Sequence, residues 1–358
     1  MKRAGLCAAV AGVSVAMVAS LLPGGEAAAG PAISAPPTSV TVFGDSFSDV
    51  GTYAPATGDP ADPGRFTVNP GNVWVQDVAA AYGLTVRPNR ALTLDAEASG
   101  IASAGKGTAR VIGGNGYAEG GARVALQPSQ SGIGGPFTVA PVRDQITRYL
   151  SVHKRFRSRQ LVIVDGGTND LYAQFADLCL GTDNNGLGKG GTTRAVADRA
   201  VRQAATDLAA QVRRIRANGG ATILLAGAAD FTLTPAGRAA LTPRKMRACR
   251  QPTTLISTWA KEFTRTLTAG IRGMRSVVYL DLTSNLKEII DRPLQYGFIN
   301  TTDPVCRNTE PSASSVFCTG STLVAPFADL AYVWADDFHP TPRVHQLIAA
   351  RALWALHR

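Results

Sequence analysis

One β-branched run, Ser39–Phe43, and three continuous apolar runs of strand length, Leu161–Val164, Ala221–Ala226 and Val277–Leu280, constrain this chain more than any other feature. The apolar runs lack polar alternation, the mark of strands covered on both faces. Helical spacing fills the intervals. Asn72–Tyr82 carries Val75, Val78, Ala79 and Tyr82 and stops at Gly83. Val142–Leu150, Ala195–Ala217 (closed by Gly219 and Gly220), Ile256–Ile271, Ser284–Ile290 and Val344–Leu356 read the same way. Strands alternating with helices predict an α/β fold, a parallel sheet with helices on both faces. Ligands of such sheets bind beyond the carboxyl ends of the strands. The loops that follow the strands are therefore where chemistry is to be sought. Gly100–Gly135 reads as a glycine-rich loop.

The 358 residues, 45% hydrophobic, suffice for one large core or two small domains. The N-terminus reads as an export signal: basic Lys2 and Arg3, apolar Leu6–Leu22, then Ala27, Ala28 and Ala29 before Gly30. The rival reading, a membrane anchor, fits poorly with an Ala/Gly-rich stretch ending in Pro23-Gly24-Gly25. Cys7 has too little apolar sequence before it for a lipobox. The expected organisation is a signal peptide at 1–29, a linker at 30–38 rich in Pro, Ala and Ser, and one domain at 39–358. The product is expected to be secreted, extracellular or periplasmic. No later segment approaches spanning length, and the chain ends at Arg358 with no barrel anchor expected.

Loss of Lys2, Arg3 and Glu26 leaves a charge of 10 − 2 + 1 = +9. That balance is compatible with transient contact with anionic lipid surfaces, or simply with an Arg-rich exported protein. No basic run with interleaved aromatics and no zinc-finger spacing occurs, so no nucleic-acid partner is expected. Cys179, Cys249, Cys306 and Cys318 remain, an even number in an exported chain. Four cysteines allow three pairings, and spacing alone does not choose. The short loop with Pro311 and several serines makes Cys306–Cys318 the expected bridge, with Cys179–Cys249 beside it. The absence of C-x-x-C, of H-E-x-x-H and of clustered Cys/His gives no metal site.

Three strand ends and loops carry candidate chemistry. Gly44-Asp45-Ser46 follows the first strand, where backbone N–H groups can stabilise an oxyanion; an ordinary strand-to-helix turn has the same composition. Asp165-Gly166-Gly167-Thr168-Asn169-Asp170 follows the Leu161 strand. Asn169 offers an amide donor there, or else Asn169 or Asp170 caps a helix beginning at Leu171. Near the C-terminus, Asp336 precedes His339 by three residues. An aspartate so placed can accept from one imidazole nitrogen and leave the other to take a serine proton. His153, His345 and His357 lie in helical stretches with charged neighbours and read as surface or packing residues.

Together these segments resemble the GDSL, or SGNH, esterase and lipase family. Gly44-Asp45-Ser46 matches its first block, Tyr117-Ala118-Glu119-Gly120-Gly121-Ala122-Arg123 its second, Gly167-Thr168-Asn169-Asp170 its third and Asp336–His339 its fourth. Gly64-Arg65-Phe66 with Trp74-Val75, Asp144-Gln145-Ile146 and Thr234-Pro235-Ala236-Gly237 also fit. Tyr296-Gly297-Phe298 with Asn300, Thr302 and Cys306 is similar to the branch containing autotransporter esterase passenger domains and haemolysin-type phospholipases. The resemblance covers about residues 38–358. It implies a three-layer α/β/α, flavodoxin-like SGNH-hydrolase fold with a parallel sheet of about five strands. It further implies ester hydrolysis with Ser46 as nucleophile, His339 as base, Asp336 rather than Asp337 as its partner, and an oxyanion hole of Ser46, Gly121 and Asn169. No cofactor is needed, the substrate is a small-molecule or lipid ester, and a monomer is expected. A phospholipase or lipid acyltransferase is the near alternative; a non-catalytic lipid- or glycan-binding module is the remote one.

The departures are plain. No G-x-S-x-G occurs, which argues against an α/β-hydrolase nucleophile elbow. Cys179–Gly191 does not align. Gly186–Gly191 satisfies G-x-G-x-x-G without a preceding strand, and the P-loop-like Gly100–Gly107 ends in glycine where Ser or Thr would hold magnesium.

Overall fold

A computed structural model describes residues 33, 35–93, 108–130, 138–180, 192–240, 249, 251–307 and 314–358. The leader at 1–29, the P-loop-like stretch 100–107 and the G-x-G-x-x-G segment 186–191 lie outside the described residues.

The strands, in chain order, are β1 (Ser39–Phe43), β2 (Arg90–Thr93), β3 (Thr108–Val111), β4 (Gln160–Val164), β5 (Thr222–Ala226), β6 (Val277–Leu280), β7 (Asn300–Pro304) and β8 (Tyr332–Trp334). The helices are α1 (Ala54–Thr57), α2 (Trp74–Ala80), α3 (Val142–His153), α4 (Thr168–Phe175), α5 (Arg194–Ala217), α6 (Pro235–Ala240), α7 (Pro252–Gly270), α8 (Leu282–Asp291) and α9 (Pro342–Leu356). Every strand and helix expected from hydrophobic patterning is present, with ends displaced by a few residues where helices begin in caps. α5, for example, starts after Thr193, whose hydroxyl accepts from Val196 N–H.

β1, β4, β5 and β6 form a parallel sheet in the order β1-β4-β5-β6. A fifth position is filled without a regular strand. Asn115–Tyr117 runs parallel beside β1, with Val42 N–H donating to Asn115 O at 3.0 Å and Tyr117 N–H to Val42 O at 2.7 Å. Counting it, the strand order becomes the flavodoxin-like 2-1-3-4-5.

Alternate sheet residues serve opposite layers, as the period of a strand requires. Phe43, Val162, Val164, Ile223 and Leu225 pack against Ile146 of α3, Phe175 of α4, Val201 and Leu208 of α5 and Phe263 of α7. Val40, Val42, Leu161, Ile163 and Leu224 pack against Trp74 and Val78 of α2, Leu286 of α8 and Ile348 of α9. Both faces are thus covered, which is why the runs carry no polar alternation.

Two small pairings were not expected. β2 and β3 form an antiparallel ribbon, placing a strand at 108–111 inside the stretch expected to be loop. β7 and β8 form a parallel pair that leads into the loop bearing Asp336 and His339. The cysteines are bridged as expected, Cys179–Cys249 and Cys306–Cys318, with Cα atoms 4.9 and 5.8 Å apart. Among the described residues, no helix is long and apolar enough to cross a membrane.

Candidate active site

The sheet register sets the site. Phe43 pairs with Val164, so the chains leaving β1 and β4 emerge side by side at the same edge. Between β1 and its two neighbours the chain order reverses, the position at which such sheets open a crevice. A cavity of ≈350 Å³ lies there, lined by Ser46, Gly121, Asn169, Asp336 and His339. All five residues expected to form the site therefore meet in one place.

Ser46 opens a single turn of 3-10 helix, Ser46–Ser48, capped by Asp45, whose carboxylate accepts from Phe47 N–H at 3.0 Å. The preceding Gly44 is clamped at both backbone groups by Gln145: its N–H donates to Oε1 at 2.9 Å, and its carbonyl accepts from Nε2 at 2.8 Å. Gln145 is fully buried on α3. The turn is thereby fixed from beneath the sheet edge.

Gly121 has φ +83°, a left-handed conformation that glycine adopts without steric cost. Its loop is held by buried charge. Glu119 accepts from Arg90 at 2.9 Å and Arg148 at 2.7 Å, and from Ala140 N–H at 2.8 Å. Asp49 accepts from Gly120 N–H at 2.9 Å; burial pushes that carboxyl up to about 6 against the hydrogen bonds that favour its charge.

Asn169 does not cap a helix. α4 begins at Thr168 behind Gly167, which stands at the N-cap with no side-chain bond, so Asn169 lies inside the first turn. Its carboxamide donates from Nδ2 to Ala122 O at 2.9 Å and to Asp45 Oδ2 at 3.3 Å. Asp170 does not cap either. It accepts from Arg123 Nε at 3.1 Å and Val124 N–H at 2.8 Å, a buried link between the Gly121 loop and α4.

His339 Nδ1 lies 2.9 and 2.8 Å from the two oxygens of Asp336. With the imidazole neutral, that contact keeps the proton on Nδ1 and leaves Nε2 as the basic nitrogen. Asp336 is richly supplied with donors. Phe338 N–H and His339 N–H reach Oδ1 at 2.8 and 2.6 Å, and Ser315 reaches Oδ2 through N–H at 2.8 Å and Oγ at 2.5 Å. Burial pushes this carboxyl up, but the charge of His339 and these hydrogen bonds outweigh it and bring it down to about 2. Asp337 takes no part in this: its backbone carbonyl accepts from Ala236 N–H at 2.9 Å. The Phe66 ring stands 4.8 Å from the His339 ring and limits its rotation.

The remaining histidines are elsewhere. His345 is fully buried, accepts from Trp74 N–H at 3.2 Å through Nδ1, and is pushed down to about 3 by burial and by the charge of His339. His153 lies against Tyr149, and His357 against Tyr82. Sequence reasoning missed Ser315 and Phe66 as supports of Asp336 and His339. Neither carries a motif of its own, although Phe66 lies in a segment the resemblance had marked.

Phe66, Tyr172, Phe231, Leu282, Leu286 and Phe338 give the cavity an apolar part to its lining. Tyr172 stacks edge-on with Phe231 and Phe338 at 5.7 and 5.3 Å, which makes this wall a packed surface.

A parallel α/β sheet with a serine, an acid–histidine pair and an asparagine amide at its carboxyl edge has the parts of a serine hydrolase. Residues 40–352 match the model of the GDSL-like Lipase/Acylhydrolase family, and the chain belongs to that family. A GDSL esterase/lipase of Arabidopsis thaliana is 26% identical over 321 residues, covering 81% of this chain and 78% of that protein. Lipase 1 of Photorhabdus luminescens is 35% identical over 75 residues, 21% of this chain and 11% of that protein. An acetyl xylan esterase from the rumen bacterium Butyrivibrio proteoclasticus is 12% identical, with a TM-score of 0.35 over 88% of this chain and 62% of that chain. Family membership supports a hydrolase of ester substrates.

Proposed function

We propose that this protein is a secreted carboxylic ester hydrolase that works through an acyl-enzyme on Ser46. The observation that carries the reading is the Asp336–His339 contact in the same cavity as Ser46. Ser46 Oγ attacks the ester carbonyl while His339 Nε2 takes its proton. The tetrahedral oxyanion is held by the N–H groups of Ser46 and Gly121 and by the Asn169 amide. His339 then returns the proton to the departing alcohol, and the acyl group stays on Ser46. Water, deprotonated by the same imidazole, releases the acid. Asp336 remains ionised throughout and stabilises the imidazolium. The aromatic and leucine wall suits the hydrocarbon part of the acyl or alcohol group, whose burial contributes about 0.8 kcal/mol per methylene.

Secretion is supported by the leader pattern at 1–29 and by two disulfides, which form in oxidising compartments. Mass measurement of the exported polypeptide tests it: a product beginning at or near Gly30 is expected.

A fluorophosphonate probe tests the chemistry. It is expected to label the wild-type protein on Ser46, and Ser46→Ala to abolish both labelling and turnover of aryl esters, a loss of at least about 10⁴-fold in kcat. Residual turnover by folded Ser46→Ala near the wild-type rate would overturn the assignment.

A further inference from the structure

The two edges of the parallel sheet differ in charge. Segments that leave the strands at the carboxyl edge, 44–50, 165–170, 227–231 and 281–286, hold six aspartates and no Lys or Arg. Segments that enter the strands at the other edge hold no Asp or Glu: 152–159 before β4, 211–221 before β5 and 269–276 before β6. They are basic instead. Lys154, Arg155, Arg157 and Arg159 precede β4. Arg213 and Arg216 close α5 ahead of β5, and Arg272 and Arg275 precede β6. All eight are exposed, and none is ion-paired with a carboxylate among the described residues.

Backbone contacts join the three segments. Phe156 N–H donates to Asn218 O at 2.8 Å, which lays the first segment along the second. Ile223 N–H donates to Ser276 O at 2.8 Å, and an Arg213 guanidinium N–H to Gly270 O at 2.8 Å, which ties the second to the third. The cations thus share one edge of the molecule. β4 spans five residues, about 16 Å at the rise of a strand, so this edge and the crevice face opposite ways.

Helix chemistry accounts for only part of the cluster. A cation in or just past a last helical turn complements the helix dipole, which suits Lys154 after α3, Arg216 in α5 and Arg272 after α7. Arg157, Arg159 and Arg275 stand beyond those turns, where the effect has faded. Arg157 and Arg275 make no side-chain hydrogen bond among the described residues, so their guanidinium groups are free to meet a partner. The edge also limits what that partner is. Seven of the eight cations are arginines, whose planar fork pairs with phosphate through two bonds at once. Val152 is the one large hydrophobic side chain exposed in these segments, too little to insert into a bilayer. Phe156 is buried and no other Phe, Tyr or Trp occurs there, so nucleic-acid bases have nothing to stack on.

We propose that this edge is a docking surface for a flexible polyanion with closely spaced phosphate groups, which holds the molecule with its crevice turned outward. The attraction is electrostatic and therefore salt-dependent, because each phosphate contact releases counterions. The docked molecule keeps its crevice open to small esters.

Long-chain inorganic polyphosphate is the probe, and binding is read by fluorescence anisotropy of the labelled protein across a salt series. One arginine is removed from each segment in the triple variant Arg157→Gln, Arg216→Gln, Arg275→Gln. Affinity is expected to fall at least about tenfold, and the slope of log K against log salt to fall by about 2. A control triple variant, Arg194→Gln, Arg265→Gln, Lys287→Gln, loses equal charge from cations paired with Asp198, Glu262 and Asp291. It is expected to bind within about twofold of wild type. Equal losses in the two variants would mean that net charge, not this edge, attracts the polymer, and would overturn the proposal. Vesicles of phosphatidylcholine and phosphatidylglycerol form the second arm. Tighter binding to them than to polyphosphate, at equal phosphate concentration, would make the partner a bilayer and also overturn it. Aryl-ester turnover is expected to be unchanged in the triple variant and in the polyphosphate complex; inhibition by the polymer that the triple variant relieves would mean that the docked chain covers the crevice, against the proposal. Binding is measured without turnover, so absence of ester hydrolysis in a protein that docks as expected would count against the proposed activity alone.

Discussion

Two buried acidic regions border the same cavity and behave in opposite ways. Asp336 is 5% exposed, hardly different from Asp45 and Asp165. Burial therefore pushes all three carboxyls in the same direction and by itself would keep each one neutral. Around Asp336 the loop supplies two N–H groups from Phe338 and His339, an N–H and a hydroxyl from Ser315, and an imidazole that can carry charge. Around Asp165 the supply is poor: its Oδ1 is buried with no hydrogen-bond partner, and the charge of Asp45 acts on it. The first is stabilised as an anion beside the His339 imidazole. The second is pushed toward its neutral form by burial and by the charge of Asp45. Donor supply, rather than depth, sets the direction in which each carboxyl is shifted.

The sharpest way to break this comparison is to remove the charge from the donor-rich side. Asp336→Asn retains shape but cannot hold the imidazolium, and its amide can favour the wrong tautomer. A fall in kcat of about 10³-fold or more is expected, with Asp337→Asn within a fewfold of wild type. Equal losses in the two variants would mean that the Asp336 contact does not govern His339.

Next in size is Asn169→Asp, which puts a carboxylate where the comparison requires a neutral donor. The substitution removes the amide protons and adds charge beside Asp45. A fall in kcat of about a hundredfold or more is expected, with KM changed little. Since Asn169 is not an N-cap, loss of capping cannot account for such a fall. Near-normal kcat in the folded variant would reduce the oxyanion hole to two backbone donors.

The disulfides give a smaller test of the same contrast. Cys306–Cys318 closes a loop containing Ser315, and Cys318 N–H donates to Ser315 O at 3.1 Å. Cys179–Cys249 ties the helical turn Ala176–Leu180, which follows α4, to the segment before α7 and carries none of the donors to Asp336. Replacing either pair by serine is expected to cost about 3 kcal/mol or somewhat more in unfolding free energy. Only loss of the Cys306–Cys318 bridge is expected to lower kcat as well, through displacement of Ser315. Equal effects on kcat from the two replacements would show that the loop bridge does not position Ser315.

Much of the frame was legible in the sequence, for reasons visible in the packing. β4, β5 and β6 have almost every side chain buried, so their apolar runs had no rival reading. Ser46, Asn169 and His339 stood out because each follows a strand or a strand-like segment at the sheet edge. β3 was hidden because its four residues are largely exposed and carry no hydrophobic period. The fifth sheet position was hidden because Asn115–Tyr117 makes only two backbone hydrogen bonds to β1 and has no strand pattern. Ser315 is an ordinary serine 21 residues before Asp336, brought to it by a chain path that no local pattern encodes. The Asp45–Asp165 pair depends on register: each aspartate alone is a common turn residue, and only the pairing of Phe43 with Val164 brings them together.

Ser315→Ala offers the finest test, because it weakens the donor-rich region without emptying it. The variant keeps the Ser315 N–H and loses the hydroxyl that bonds Oδ2 at 2.5 Å. A hydrogen bond to a charged group contributes about 2 kcal/mol, so above pH 4 the variant is expected to melt a few degrees below wild type. The pH dependence follows from the sign of the shift. Asp336 is about 2 when folded and near the ordinary aspartate value of about 4 when unfolded. A depressed carboxyl contributes stability that is present above the unfolded value and lost as pH falls through the folded one. The window is therefore about pH 4 down to pH 2. Loss of the hydroxyl moves the folded value upward and narrows that window, by about one unit for each 1.4 kcal/mol removed. The difference in melting temperature between wild type and Ser315→Ala is thus expected to be constant from neutral pH to about pH 5, and to shrink toward pH 2 as both carboxyls protonate. Asp49, raised to about 6, titrates alike in both proteins and cancels in the difference. A gap that stays constant down to pH 2 would mean that the Ser315 hydroxyl supports the loop and not the charge on Asp336.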